Sequence, residues 1–223
     1  MDVICHRACP AGGPENSLPA VRAVPAWVDM IEVDVQRCAS GELVVFHDRG
    51  LDRVTGASGA IAGTAWSRLQ ELALEGTDAT VPRLETVLDA LPDGVGLNVE
   101  LKHAGMADAL VSLLSDLDRE VLVSSFVPQA IAPLAEQGFR TAHLIDPDRT
   151  AGWEQELAIA ASLGAEAVHP QYETLDADRI ETAHERGFSV NAWTVPEEDA
   201  VNRLRTAGVD GVIVDDWRLL GRE

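Results

Sequence analysis

Lysine is almost missing from this chain of 223 residues: Lys102 is the only one, and every other basic residue is Arg or His. Positive charge is scarce in general, with 17 Lys plus Arg against 37 Asp plus Glu and a formal charge of −20. A polyanion is repelled by such a surface unless a basic patch receives it, and none is visible, which excludes nucleic acid as a partner. Cysteine is also short. Cys5, Cys9 and Cys38 are an odd number in a long chain, so no disulfide framework is expected. The spacing C-x3-C around His6, without a second pair, is a poor match to structural zinc, and free thiols in or near the core are the expectation. No run approaches the roughly 20 apolar residues of a membrane span. The opening residues, MDVICHRACP, carry neither a basic leader nor a long apolar stretch, so the expected location is the cytoplasm.

What is present suffices for one large core. Hydrophobic residues make up 46%, and the length suits a single domain over residues 1–223. High acidity with almost no lysine is similar to the composition of proteins from salt-loving organisms, where concentrated salt screens self-repulsion. Nine β-rich runs recur: DVIC (2–5), MIEVDV (30–35), ELVVF (42–46), GLNVEL (96–101), VLVSSF (121–126), TAHLI (141–145), EAVHP (166–170), FSVNAW (188–193) and DGVIVD (210–215). Helical patterning fills most gaps, as in ENSLPAVRAV, VPRLETVLDALP, GMADALVSLLSDLD, PQAIAPLAEQG, WEQELAIAASLG, ADRIETAHERG and EEDAVNRLRTAG. Alternating strand and helix predicts a parallel sheet with helices outside. QRCASGE, between the second and third runs, is too short for a crossover helix, so those two form a hairpin around Ser40–Gly41. Setting its outer strand aside leaves eight parallel strands, the number that closes a TIM (β/α)8 barrel. The fold class is thus α/β, a TIM barrel with a β-hairpin after strand two. The Gly-rich GASGAIAGTA (56–65) reads as a surface loop.

In IEVDV (31–35), Glu32 and Asp34 alternate with Ile31, Val33 and Val35. Both carboxylates therefore share one face of a strand, their Cα atoms roughly 6–7 Å apart. Unpaired charge on a buried face is costly, so that face meets either water or positive charge. NVELK (98–102) repeats the pattern with Glu100 and Lys102. Chemistry in a barrel gathers where the strands end. Those ends bear His6–Arg7, Glu32 and Asp34, Glu100 and Lys102, Ser124–Ser125, His169 and Trp193, while the hairpin's return strand finishes in His47–Asp48. With its turn centred near residues 40 and 41, position 47 falls opposite about position 34, beside the carboxylate pair. Three inward carboxylates repel one another unless compensated. A hard divalent cation with oxygen ligands is one solution; a structural ion-pair network with Arg7 and Lys102 is the other.

HRACPAGGPEN (6–16), IEVDV (31–35), VVFHD (44–48), NVELK (98–102), SSF (124–126), AWTV (192–195) and GVDGVIVDD (208–216) occur in this order over nearly the whole chain. Together they resemble the glycerophosphodiester phosphodiesterase family, which has a TIM-barrel fold with the hairpin as a usual feature. The resemblance implies metal-dependent hydrolysis of a small-molecule phosphodiester, with one divalent cation, Mg²⁺ or Ca²⁺, on Glu32, Asp34 and Glu100. It implies His6 and His47 as general acid and base, a task that suits imidazole. Arg7 and Lys102 match the cations that contact phosphate. Glu15 and Asn16 match a P-E-N element that supports the substrate-binding loop, and Phe126 and Trp193 match apolar walls around the substrate. Ala8 departs from the pattern, because the family usually follows His-Arg with Gly, which can take positive φ. Ser17 replaces a common Thr, and Asp215, near a commoner Thr-Asp element, receives no role.

Other readings stay open beside these. His103, His143 and His184 suit surface or structural roles, and His169 suits either pocket wall or barrel packing. Phe126 and Trp193 are equally at home in a core, and Trp66 and Trp153 read as packing residues. Ser124–Ser125 lacks a G-x-S-x-G elbow, so small polar filling of the mouth explains it. At the level of function the alternatives are a lysophospholipase-D-like activity and a non-catalytic barrel that binds a phosphorylated metabolite. A homodimer is left open.

Overall fold

The structure, a computed structural model, describes residues 1–115, 117–148 and 151–221. Each of the nine β-rich runs forms a strand: β1 (Asp2–Cys5), β2 (Met30–Arg37), β3 (Leu43–Val45), β4 (Gly96–Leu101), β5 (Val121–Ser125), β6 (Arg140–Leu144), β7 (Ala167–His169), β8 (Ser189–Val195) and β9 (Gly211–Val214). Eight of them pair in parallel, and β1 bonds both β9 and β2, so the sheet closes into the TIM barrel. The ninth, β3, runs antiparallel along the last three residues of β2.

Nine helices accompany the strands among the described residues: α1 (Leu18–Ala23), α2 (Asp52–Thr55), α3 (Trp66–Leu69), α4 (Leu84–Ala90), α5 (Ala107–Leu114), α6 (Pro128–Ala135), α7 (Trp153–Ser162), α8 (Ala177–Glu185) and α9 (Glu198–Ala207). Seven of these fall in the segments with helical patterning; the expected helix over 105–118 includes residue 116, which lies outside the described residues. The first helix is shorter than its pattern. It begins only after Ser17, whose Oγ accepts from the Ala20 N–H and caps it. Glu15 and Asn16, just upstream, are drawn toward the barrel mouth instead.

Strand alternation separates two layers of core. Val33, Val35, Val99 and Leu101 face the helical shell, whereas Ile4, Met30, Leu122, Ala142, Ala167 and Ile213 pack together below the mouth. The mouth itself is polar, and Glu32, Asp34, Asn98, Glu100, Ser124 and His169 are all buried there. Cys5, Cys9 and Cys38 are free and buried. Among the described residues no helix is long and apolar enough to cross a membrane.

Two details correct the expectations. The stretch 56–65 is not a bare surface loop. Gly50 and Ala60 form a β-bridge, Ile61–Gly63 is a 3₁₀ turn, and Ile61 is completely buried. With Phe46, Leu51, Val54, Leu69 and Leu74 it builds a satellite core under the hairpin and the two unforeseen helices, α2 and α3. Hydrophobic patterning missed it because one isoleucine in a Gly/Ala-rich run has no period. The hairpin register also differs by one residue. Val35 faces Val45 and the Phe46 N–H bonds Asp34 O, so Phe46, not His47, lies opposite Asp34. The turn is centred on residue 40, with Gly41 at φ 104°, and His47 lies beyond the end of β3.

Truncating Ile61 tests the satellite core. Ile61→Ala is expected to destabilise the protein by about 2–5 kcal/mol in urea unfolding, as for other buried isoleucines. A change within about 0.5 kcal/mol would return the segment to the status of a surface loop.

Candidate active site

A cavity of about 120 Å³ opens at the C-terminal mouth of the barrel. His6, Arg7, Glu32, His47, Glu100, Lys102, Phe126 and Trp193 all line it, together with Asn98, Ser124 and His169. Asp34 adjoins it through its bonds to lining residues. Glu15 and Asn16 do not line the cavity; they act on its walls.

The loop after β1 adopts its shape at a conformational cost. Arg7, Ala8 and Cys9 are three successive residues in the left-handed region, at φ 48°, 62° and 57°. Side chains disfavour that region by roughly 1–2 kcal/mol each, and Ala8 occupies the position where glycine would be unstrained. The loop is held by Cys9 N–H to His6 O at 2.7 Å and Asn16 N–H to Arg7 O at 2.9 Å. The result aims the Arg7 N–H at Glu32 Oε2, 2.7 Å away.

Parallel pairing sets Asp34 beside Glu100 on the neighbouring strand, and Glu32 beside Asn98. One oxygen from each of Glu32, Asp34 and Glu100 lies within 4.8 Å of the others, and all three residues are buried. Lys102 bridges two of them, with Nζ 2.6 Å from Asp34 Oδ1 and also bonded to Glu100 Oε1. Asn16 grips Asp34 from behind, donating to Oδ2 at 2.6 Å and accepting from the Asp34 N–H at 3.1 Å. Arg7 Nε adds an ion pair to Asp34 at 3.7 Å. The ion-pair network considered from sequence is therefore real for Asp34 and Glu100, but it leaves Glu32 out. Glu32 Oε1 is buried and has no hydrogen-bond donor among the described residues.

The charge balance follows this geometry. Burial raises the cost of ionising Asp34, but the Lys102 ammonium, with His47 and Arg7, outweighs it and holds Asp34 at about 2. Burial and the neighbouring Asp34 push Glu32 up to about 8, and the same two causes raise Glu100. The protein's own cations thus pair two carboxylates of the three but keep only Asp34 below the usual carboxylate range. The donor set is all oxygen, closely spaced, with one unpaired buried oxygen and a proton that a stronger cation would displace. These residues fit a hard divalent ion such as Mg²⁺ or Ca²⁺.

Each of the two histidines at the mouth is held at Nδ1 by an aspartate. His6 Nδ1 lies 2.7 Å from Asp215 Oδ1, and His47 Nδ1 lies 2.6 Å from Asp48 Oδ1. Burial disfavours charge on His6, but the Asp215 hydrogen bond and the Glu32 and Asp34 carboxylates overcome it and raise its pKa. His47 is lowered, chiefly by burial, with Lys102 and Arg7 opposing the pull of Asp34 and Asp48. Gln36 fixes the backbone that carries His47. Its buried amide donates to the carbonyls of Phe46 at 2.7 Å and Asp48 at 2.7 Å, with His47 O at 3.2 Å. At the opposite wall Phe126 and Trp193 meet edge to face, ring centroids 5.6 Å apart, and Trp193 Nε1 donates to His169 O. His169 serves both roles considered for it, since it lines the cavity and pairs with Asn191 at 3.0 Å. His143 is structural, bonded to Glu156 in the shell at 2.7 Å.

Sequence reasoning missed Asp215, Asp48, Gln36 and Arg53. Asp215 follows β9, a position that barrel topology marks as part of the mouth, so its signal was available. Arg53 left none, because only the packing of the inserted segment brings it to Glu15 and Asp48.

Fold and mouth together define a class: a TIM-barrel enzyme with a carboxylate-centred site flanked by cations and imidazoles. The profile of the glycerophosphoryl diester phosphodiesterase family matches residues 6–219, and the chain belongs to that family. A glycerophosphodiester phosphodiesterase of Caldanaerobacter subterraneus subsp. tengcongensis is 28% identical over 230 residues, covering 96% of this chain and 93% of the relative. A phosphodiesterase of Oleispira antarctica, solved in complex with the product sn-glycerol-3-phosphate, superposes with a TM-score of 0.86 at 27% identity, covering 96% of this chain and 93% of that one. The glycerophosphodiester phosphodiesterase of Thermotoga maritima has a TM-score of 0.86 at 26% identity, covering 99% and 97%.

Divalent-ion affinity should depend on pH through Glu32. Below about 8 the ion must displace its proton, so Mg²⁺ or Ca²⁺ binding is expected to tighten about fivefold from pH 7 to pH 8 and to level off above about pH 9. Calorimetric titration should show close to one proton released per ion at pH 7. Glu32→Gln should lose both the proton release and most of the affinity.

Proposed function

We propose that the protein hydrolyses glycerophosphodiesters to a glycerol phosphate and an alcohol, with His6 and His47 as the proton-transfer pair. One observation carries this reading: two imidazoles, each locked at Nδ1 by its own aspartate, line one cavity with a carboxylate cluster and two cations. With Nδ1 engaged, Nε2 is the nitrogen each ring has left for substrate.

Glu32, Asp34 and Glu100 would hold one divalent ion, which when bound supplies Lewis-acid polarisation of a phosphoryl oxygen. Arg7 and Lys102 attract the anionic diester into an otherwise acidic protein and offset charge that develops on the phosphoryl oxygens. His47, held neutral, removes the proton from the attacking hydroxyl, either water or a hydroxyl of the substrate's own glycerol, and in the second case water then opens the cyclic phosphate to the glycerol phosphate. His6, whose protonated form is favoured by Asp215, delivers a proton to the departing alkoxide. Asp215 and Asp48 keep the two rings in the required tautomer and orientation. Phe126 and Trp193 provide an apolar wall for the carbon skeleton.

The lysophospholipid alternative calls for an apolar landing surface, and among the described residues no large hydrophobic side chain is exposed. That supports small, water-soluble diesters as the substrate class. A purely binding barrel has no use for two aspartate-locked histidines on one cavity.

Release of choline or ethanolamine from the corresponding glycerophosphodiester tests the activity. Turnover should vanish with chelator and return with Mg²⁺ or Ca²⁺. His6→Ala and His47→Ala should each lower kcat by about 10²–10⁴-fold while the circular dichroism spectrum is retained. Near-normal rates in both variants would remove the acid–base assignment.

A further inference from the structure

We propose that Arg53, from the inserted segment and outside the cavity, is a positioning residue that locks His47 in its working orientation through Asp48. This rests on the reading of His47 as a proton-transfer group.

The guanidinium makes four hydrogen bonds to two carboxylates. Nε donates to Asp48 Oδ2 at 2.5 Å and Nη2 to Asp48 Oδ1 at 3.1 Å. Nη2 also donates to Glu15 Oε1 at 2.5 Å, and Nη1 to Glu15 Oε2 at 3.0 Å. Each carboxylate so held carries on to a residue at the mouth: Asp48 Oδ1 to His47 Nδ1 at 2.6 Å, and Glu15 Oε2 to Arg7 Nη1 at 3.1 Å. The chain His47–Asp48–Arg53–Glu15–Arg7 therefore ties the hairpin side of the site to the loop after β1. Arg53 itself is not among the lining residues.

Its own position is fixed by packing. Leu51 and Val54, on either side of it, are buried in the satellite core, and Thr55 Oγ1 bonds back to Leu51 O at 2.7 Å. Gly56 at φ 68° then closes α2. Asp48, by contrast, has a partly exposed side chain, and the hydrogen bonds of its carboxylate among the described residues go to His47 and Arg53. Without Arg53 the carboxylate is free to turn to water, and the imidazole loses the acceptor that defines its tautomer. Arg53 also holds Asp48 ionised, at about 2, so that the carboxylate accepts from Nδ1 and leaves the Nε2 lone pair for substrate. A lysine cannot substitute, since one ammonium does not span two carboxylates with a bidentate grip on each.

The experiment compares Arg53→Ala, Arg53→Lys and wild type with glycerophosphocholine. Loss of an orienting partner of this kind typically costs about 10–100-fold in activity. That loss is expected in kcat for Arg53→Ala, with KM changed by less than about threefold and only slight recovery in Arg53→Lys. Added guanidinium should restore Arg53→Ala by about tenfold but leave wild type and Asp48→Ala unaffected. Long-range ¹⁵N–¹H spectra, with His47 identified by its loss in His47→Gln, should show the Nδ1–H tautomer in wild type and a mixture in Arg53→Ala. Arg53→Gln replaces Arg53→Ala, with the same expectations, should the latter fail to fold. Unchanged kcat together with an unchanged His47 tautomer overturns the proposal. If wild type turns over no glycerophosphodiester, the functional reading falls, and the tautomer measurement alone still decides the role of Arg53.

Discussion

Mutual repulsion among three buried carboxylates is the constraint around which this molecule is arranged. Glu32, Asp34 and Glu100 are brought together by the register of two adjacent parallel strands. Nothing about a barrel requires charge there, and an apolar set would pack more cheaply. The rest of the mouth compensates for that charge. Lys102 leans between two of the carboxylates, Asn16 braces the central one, and the loop after β1 turns through three left-handed residues to point an N–H at the third. Backbone strain of this kind persists where surrounding contacts over-determine it, and here hydrogen bonds to the strands and to Asn16 do so. An incompletely neutralised cluster of this kind is also a donor set that fits a hard divalent ion.

The hairpin and the segment after it answer a second demand. An imidazole has to reach the cavity beside the carboxylates, and His47 does so with Nδ1 engaged by Asp48 and not by the cluster. Extending β2 past the barrel rim and folding β3 back along it brings His47 to the mouth from outside the eight-strand ring. Gln36 clamps the carbonyls on either side of the ring, and Asp48 engages Nδ1. The satellite core packs against this scaffold through Val44 and Phe46. His6 reaches the same cavity from the end of β1, the strand next to β2, with a matching aspartate from the end of β9, so the two rings are held alike.

The scarcity of positive charge makes the two cations at the mouth stand out. With a net charge of −20 the protein repels anions in general. Arg7 and Lys102 are cations at the cavity, and each is also engaged by a carboxylate of the cluster or its support. Any anion that enters the cavity therefore has to compete with these internal partners for both cations.

Much of this was legible in the linear chain. Strand–helix alternation, the short connection after the second strand and the count of eight led to the barrel, because period-2 and period-3.6 patterns are local. The pairs Glu32/Asp34 and Glu100/Lys102 declared a shared face for the same reason. The one-residue error in hairpin register shows where locality ends, since a turn of five residues and one of four read alike until hydrogen bonds are placed. Ile61 was invisible as core because burial of a lone apolar residue depends on what folds over it.

By itself, then, the sequence determined the barrel, the polar mouth and most of the side chains that line it, since each follows from residue spacing along a single strand. The tertiary structure alone decided how charge is shared: Lys102 with Asp34 and Glu100, Asp215 with His6, Arg53 with Asp48 and Glu15. Such pairings join residues up to 209 positions apart, and electrostatic energy depends on distances through space that no spacing along the chain encodes.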